Sequence, residues 1–298
     1  MSKVKNLFRP AEYFKPTSVE EAVKLLAQYG EKGSPIAGGT DVLAMKNPGT
    51  EALIDITGLG LNYIESDSQG LRIGATTTLA DIEISPILSK GPYNIIAQAA
   101  HEVGTPLIRN LGTIGGNLCN ASPSADTAPV LLALGAKLKL VSTGKSREVP
   151  LDEFFVGPFR TVKGHDELLT EIVLPPLTLR TGTSYQWLTK ITTIDETLVS
   201  VAIMVAMDDK GEVIKDAKIA LISVAPTPMR ARQAEEMLRG KEVRDRLVEE
   251  VARVVADETS PRSRPDYRRQ MSAVLAERVL KEAISRAVSN IQSGGVPW

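Results

Sequence analysis

The chain has 298 residues, 43% of them hydrophobic, which is enough to bury one or two cores and suggests two domains. A formal net charge of -1 gives no electrostatic basis for binding nucleic acid or an anionic membrane. The lone cysteine, Cys119, excludes an internal disulfide and a cysteine-ligated iron–sulfur cluster, and the two histidines, His101 and His165, exclude a multi-histidine metal site.

Met1 to Pro10 is basic but lacks the apolar run of a signal peptide. No later segment has eighteen uninterrupted apolar residues, so a cytoplasmic protein without membrane insertion is expected. Ser18-Val19-Glu20-Glu21 reads as a capping box, and Val19, Ala22, Val23, Leu25 and Leu26 recur at helical spacing until Gly30 ends the helix. Ala52 to Ile56 reads as a buried strand, and Tyr63 to Glu65 with Leu71 to Ile73 as a hairpin around Asp67-Ser68-Gln69-Gly70. Helices are predicted over Leu79 to Glu83 and Tyr93 to Glu102. The all-round apolarity of Thr127 to Leu134 marks a buried helix, and Lys137 to Val141 alternates as a half-exposed strand.

Pro175-Pro176 can continue neither a helix nor a ladder, which places a domain boundary there. The division is 1–176, with subdomains of about 1–57 and 58–176, then 177–298. The second part shows strand patterns over Ser184 to Ile191, Leu198 to Met207 and Val213 to Val224, with Asp208-Asp209-Lys210-Gly211 as a hairpin turn. Helices over Val243 to Asp257 and Asp266 to Ser289 close it.

Two glycine-bearing stretches carry the functional signal: Ala37-Gly38-Gly39-Thr40-Asp41 and Gly112-Thr113-Ile114-Gly115-Gly116-Asn117. Paired glycines reach φ > 0 and bring bare N–H groups to an anion, and two such nests would suit a pyrophosphate, although each alone is also an ordinary turn. The standard nucleotide fingerprints are missing. Gly144-Lys145-Ser146 has Lys139 where a Walker loop needs its first glycine, and no Gly-x-Gly-x-x-Gly follows a strand. His101-Glu102 starts like a zinc-protease helix, but position 105 is Thr.

In context, Pro35 to Val42 and Leu107 to Asp126 resemble the FAD-binding medium subunit of the molybdenum hydroxylases, the family of xanthine dehydrogenase and aerobic carbon monoxide dehydrogenase. The likeness extends to Leu71 to Thr78, Asp152 to Pro158, Glu167 to Ile172 and Tyr267-Arg268-Arg269-Gln270-Met271, so it spans essentially the whole chain. The resemblance implies an α+β fold: a two-part FAD-binding domain of the vanillyl-alcohol oxidase or PCMH type, then a smaller α+β domain with a three-stranded antiparallel sheet and helices. It also implies FAD in this chain, bordered by Pro35, Ile36, Ala37, Gly38, Gly39, Thr40, Asp41, Val42, Gly104, Thr113, Ile114, Gly115, Gly116, Asn117 and Asp126. Backbone amides of the two stretches would hold the pyrophosphate, and Asp126 would hold ribose or ring-proximal groups, cap the helix at Thr127, or both. Leu169 matches a position that meets the flavin through main chain. Lys190 matches a cation near the isoalloxazine, though it also reads as a solvated strand residue.

The implied partners are a large molybdenum-pterin subunit and a small subunit with two two-iron two-sulfur clusters, in a dimer of heterotrimers. FAD would pass electrons from those clusters to NAD⁺ or another acceptor, and no catalytic side chain or metal is assigned to this chain. A stand-alone FAD oxidase of the same fold and a non-catalytic nucleotide-binding scaffold are the alternatives. The chain departs from the family in two places: no aromatic stands near Asp195-Glu196-Thr197-Leu198 to shield the flavin, and Pro261 to Tyr267 is a shortened linker. Cys119 reads as a small buried hydrophobe, and Arg262, Arg264, Arg268 and Arg269 as a solvated basic face or a subunit contact.

Overall fold

The computed structural model describes residues 8, 10–45, 47–190 and 196–292. The first unit comprises β1 (Glu12–Phe14), α1 (Val19–Tyr29), β2 (Gly33–Ile36), α2 (Val42–Met45) and β3 (Ala52–Asp55). Its sheet is parallel in the order β1-β3-β2. Ser18 caps α1 by accepting from the Glu21 N–H at 3.2 Å, but Glu21 takes the Thr17 N–H at 2.8 Å, so only half of the expected capping box forms. Ala22, Val23 and Leu26 bury the apolar stripe of α1 against Ile54, Ile56 and Leu168. Because β2 is parallel to its neighbour, the first glycine stretch leaves its carboxyl end, where open α/β sheets place ligands.

The second unit holds β4 (Ile64–Asp67), β5 (Gly70–Gly74), α3 (Leu79–Glu83), α4 (Asn94–Glu102), α5 (Pro106–Arg109), α6 (Ile114–Asn120) and α7 (Thr127–Ala133). It continues with β6 (Lys137–Ser142), β7 (Lys145–Pro150), a small ribbon of β8 (Phe155–Gly157) and β9 (Arg160–Thr161), and β10 (Leu168–Leu174). The main sheet is antiparallel in the order β4-β5-β10-β6-β7, so β10 inserts between strands made much earlier. Every residue of α7 is buried, as its apolarity demands. The charged edge strand β7 escaped the sequence reading because Lys145, Ser146, Arg147 and Glu148 are all exposed on a strand paired on one side only.

The third unit contains β11 (Thr181–Leu188), β12 (Val199–Met207), β13 (Ile214–Ile222), β14 (Met229–Arg230), α8 (Arg232–Leu238), α9 (Asp245–Asp257) and α10 (Pro265–Gln292). The sheet has four strands, not the expected three, in the antiparallel order β11-β12-β13-β14. The fourth covers only two residues. Beyond it the buried Glu235 of α8 accepts the Ile219 N–H at 2.9 Å and binds Arg230 at 2.6 Å, so a side chain replaces a strand partner along β13. The first expected strand begins three residues earlier than Ser184, and its predicted end at Ile191 lies outside the described residues.

Strand β12 is buried on both faces. Val199, Val201, Ile203, Val205 and Met207 face the core under α9 and α10, while Ala202 and Met204 join the core of the second unit. This sharing makes α7 a layer between the two larger sheets. Among the described residues no helix is long and apolar enough to cross a membrane.

Helix α10 seats on β11 at Gly182, where a Cβ would lie 2.0 Å from the Ala283 carbonyl oxygen and 2.4 Å from the Ala287 nitrogen. Both obstacles are backbone and cannot rotate away. Gly182→Ala is therefore expected to lower stability by roughly 1–3 kcal/mol in chemical denaturation, and an unchanged midpoint would contradict this helix seat.

Candidate functional site

The two glycine stretches meet. A Cβ on Gly38 would stand 1.7 Å from the Leu111 carbonyl oxygen, so the first loop lies directly on the backbone that leads into α6. The Gly112 carbonyl accepts from the Leu79 N–H at 2.9 Å, and Thr113 forms a bridge with Thr78, which anchors that backbone to the second unit. A cavity of about 610 Å³ opens beside the contact.

Of the residues expected at a site, Pro35, Ala37, Gly38, Gly39, Thr40, Asp41, Val42, Thr113, Gly115, Gly116, Asn117, Asp126 and Leu169 line this cavity. Ile36 and Ile114 are buried beneath it and do not line it. Gly104 supports the wall from outside: it holds φ +53°, and its neighbours Val103 and Ile108 are the lining residues. Lys190 is exposed just beyond β11 and is not in the lining. Sequence reasoning missed Ser122, Ser124, Lys163 and His165, which also line the cavity. The serines lay within a quoted motif, whereas nothing in the spacing of Lys163 and His165 marks them.

The two stretches differ in what they offer a ligand. From Gly38 to Asp41 no backbone N–H has a hydrogen-bond partner among the described residues, which leaves a run of donors beside the cavity. The second stretch is not the expected second nest. Apart from the Thr113 N–H, which has no partner among the described residues, its amides are spent inside the protein: Ile114 N–H on Thr77 O at 3.0 Å, Gly115 N–H on Ala75 O at 3.0 Å and Asn117 N–H on Thr113 O at 2.9 Å. Gly116 N–H binds the Thr113 hydroxyl at 3.1 Å, which caps α6.

The glycines are also not selected by positive φ as a group. Of Gly38, Gly39, Gly115 and Gly116, Gly39 alone has it, at +70°. Gly115 is required because a Cβ would come within 2.6 Å of the Ala75 oxygen, whereas Gly116 is exposed and would meet only the Thr113 hydroxyl, at 3.0 Å. Gly115 therefore serves helix packing, and Gly116 leaves room at the cavity surface.

Asp126 does not cap α7: it has helical dihedrals, and its side chain makes no cap hydrogen bond. Its Oδ1 instead accepts from the Thr197 hydroxyl at 2.7 Å. Burial, reinforced by the nearby Glu102 and Glu196 carboxylates, pushes its pKa from 3.8 up to about 7 against the opposing Thr197 bond. The segment noted for lacking an aromatic thus reaches the site through a hydroxyl, and Asp195 lies outside the described residues. Burial also raises the Asp41 carboxyl and the Cys119 thiol, which suits a structural rather than a reactive cysteine.

His101 serves an ion pair. Its Nδ1 lies 2.8 Å from Glu83 Oε1, while buried Arg109 donates to Glu83 Oε2 at 2.7 Å and to the Gly104 carbonyl at 3.2 Å, fixing the Gly104 turn. Among the described residues no group of three or more His, Cys, Asp or Glu side chains could hold a metal.

A carboxyl whose pKa rises on folding takes up a proton, so stability falls as pH rises between the two values. The Asp126 penalty is absent below about pH 4 and complete above about pH 7, on the order of 4 kcal/mol at most. Asp126→Asn is expected to flatten that stretch of the stability–pH curve in urea denaturation; an identical slope in both proteins would contradict the burial argument.

Comparison with known proteins places this geometry in a family. Residues 8–177 match the family model described as the FAD binding domain in molybdopterin dehydrogenase, and residues 190–283 match that of the CO dehydrogenase flavoprotein C-terminal domain. The glyceraldehyde dehydrogenase medium chain of Sulfolobus acidocaldarius is 34% identical over 91% of this chain and 97% of its own length. The carbon monoxide dehydrogenase medium chain of Hydrogenophaga pseudoflava is 32% identical over 92% and 97%. The solved carbon monoxide dehydrogenase from Hydrogenophaga pseudoflava superposes with a TM-score of 0.87 at 33% identity, covering 93% of this chain and 98% of that one. With both parts of the chain matched and the glycine stretches joined at one cavity, this protein belongs to the FAD-binding subunits of the molybdenum hydroxylases, the flavoprotein components of molybdenum-containing dehydrogenase complexes.

Proposed function

We propose that the cavity of about 610 Å³ is the FAD site and that its pyrophosphate lies against the amides of Gly38 to Asp41. The run of unpartnered N–H groups carries this reading, because donors left free beside a cavity call for an anionic ligand. Thr113, Gly116 and Asn117 then form the opposite side, with Asn117 Oδ1 held by the Thr127 hydroxyl at 2.6 Å. Leu169 adds main chain and an apolar surface, and Lys163 and His165 flank one end, His165 lying 3.5 Å from Glu31. Asp126 stands where a protonatable oxygen can meet the ribose or the ring edge.

When bound, FAD supplies the redox chemistry, taking electrons singly and giving them in pairs. The chain's own groups orient the cofactor and, at half-buried Asp126 in the cavity wall, hold a proton near neutral pH. We further propose that the electrons arrive from two-iron two-sulfur clusters on a small partner subunit, which receives them from a molybdenum-pterin subunit, and leave to NAD⁺ or another acceptor. Two such heterotrimers would pair. The near end-to-end match to medium chains supports this reading over a stand-alone oxidase.

The complex purified from its native host should show flavin bands together with iron, molybdenum and two companion chains; flavin in a lone monomer would contradict the assembly. Mixing the reduced complex anaerobically with NAD⁺ tests the acceptor, since NAD⁺ as acceptor predicts return of the flavin absorbance. Gly116→Val should cut FAD affinity by roughly tenfold or more with circular dichroism unchanged, because its side chain meets only the Thr113 hydroxyl, at 3.0 Å, and otherwise projects from the exposed position into the cavity. Gly115→Ala should instead lower thermal stability, because its methyl meets the Ala75 backbone. Full FAD affinity in the Gly116 variant would refute the placement of the cofactor.

A further inference from the structure

The sequence groups Arg268 with Arg262, Arg264 and Arg269 as one basic face, and the structure separates it from them. The other three are exposed, whereas Arg268 turns inward from the first turns of α10. Its Nη1 donates to the Leu198 carbonyl at 2.7 Å and to the Ser223 carbonyl. Its Nε is buried with no hydrogen-bond partner among the described residues, and the residue as a whole is half-buried, so the inward bonds of the guanidinium are those from Nη1 to the two carbonyls. A guanidinium on neutral carbonyls makes charge-assisted bonds, stronger than neutral ones.

Both carbonyls belong to residues that stand behind the cavity wall and do not line it themselves. Ser223 holds φ +63°, a left-handed conformation that a non-glycine residue keeps only when its surroundings enforce it. From that conformation its N–H donates to the Pro123 carbonyl at 2.9 Å, and its hydroxyl lies 3.0 Å from the Ser124 hydroxyl. Leu198 directly follows Thr197, whose hydroxyl holds Asp126 at 2.7 Å. Ser122, Ser124, Ala125 and Asp126 line the cavity. One side chain of the third unit thus fastens two tethers, one near each end of the short wall from Ser122 to Asp126.

We infer that Arg268 is a positioning residue for the flavin cavity, acting through Ser223 and Leu198 to fix the wall from Ser122 to Asp126 in its ligand-binding shape. This rests on the reading that FAD occupies the cavity. It gives the third unit a role in flavin retention: the first two units form the pocket, and the third locks one side of it. Both bonds leave the single atom Nη1, so a lysine ammonium, with three donors on a differently shaped and more strongly hydrated head, reproduces them only in part.

The test uses the purified complex, stripped of flavin and titrated with FAD, with the visible circular dichroism of the bound flavin and its midpoint potential as further readouts. Arg268→Met should weaken FAD binding roughly tenfold to a hundredfold and change the visible dichroism, with Arg268→Lys restoring part of both. Thr197→Val leaves Arg268 in place but cuts one tether, so it should shift the potential and weaken binding severalfold. Arg269→Met, an exposed neighbour, should match wild type. Wild-type affinity, dichroism and potential in both the Arg268→Met and Thr197→Val proteins would overturn the inference. So would an Arg268→Met protein that loses flavin only in proportion to unfolded material while Thr197→Val stays normal. If the wild-type complex itself takes up no FAD, the functional reading fails first, and that result is distinct from wild-type binding that survives these substitutions.

Discussion

The site depends on one close backbone approach, that of Gly38 to Leu111. A methyl group at position 38 would overlap the Leu111 carbonyl, so glycine is what lets the loop after β2 lie on the chain that starts α6. The first unit contributes a parallel sheet whose strand end releases a loop with unpaired amides, and the second contributes an anchored helix start. Neither is a complete cofactor site. Brought together, they border a cavity with donors on one side and a small, glycine-lined surface on the other.

The third unit stabilises this arrangement through shared cores and specific polar contacts. Strand β12 is apolar on both faces because one face covers α7 and the other carries α9 and α10. Desolvation, with Glu102 and Glu196 nearby, raises the pKa of Asp126 to about 7, an energetic cost the fold tolerates at a position that borders the cavity. Thr197, Ser223 and Arg268 then connect the same wall to the third unit by directional bonds.

Much of this was legible in sequence where a pattern has a single physical cause. The stripe of α1, the all-round apolarity of α7 and the near-continuous apolar run of β12 appear as buried elements because hydrophobic pattern and burial coincide there. Strand β7 was not legible, since exposed charges on a paired edge look like a loop, and neither was α8, whose buried Glu235 takes a backbone role that composition does not reveal. The glycine motifs located the site but not the division of labour within it. Spacing cannot tell that Gly115 answers to Ala75, that the amides from Ile114 to Asn117 are already paired, or that Asp126 binds Thr197 rather than capping its own helix. Each of these depends on a partner distant in sequence. Lys163 and His165 reach the cavity for the same reason and carry no local signal.

The most direct test of the account is hydrogen–deuterium exchange at single-amide resolution, with and without FAD. The account predicts that the amides from Gly38 to Asp41 exchange rapidly in the flavin-free protein and become strongly protected when FAD binds, while those from Ile114 to Asn117 are already protected before it is added. FAD binding that leaves Gly38 to Asp41 unprotected would contradict the central claim that these free backbone donors hold the cofactor.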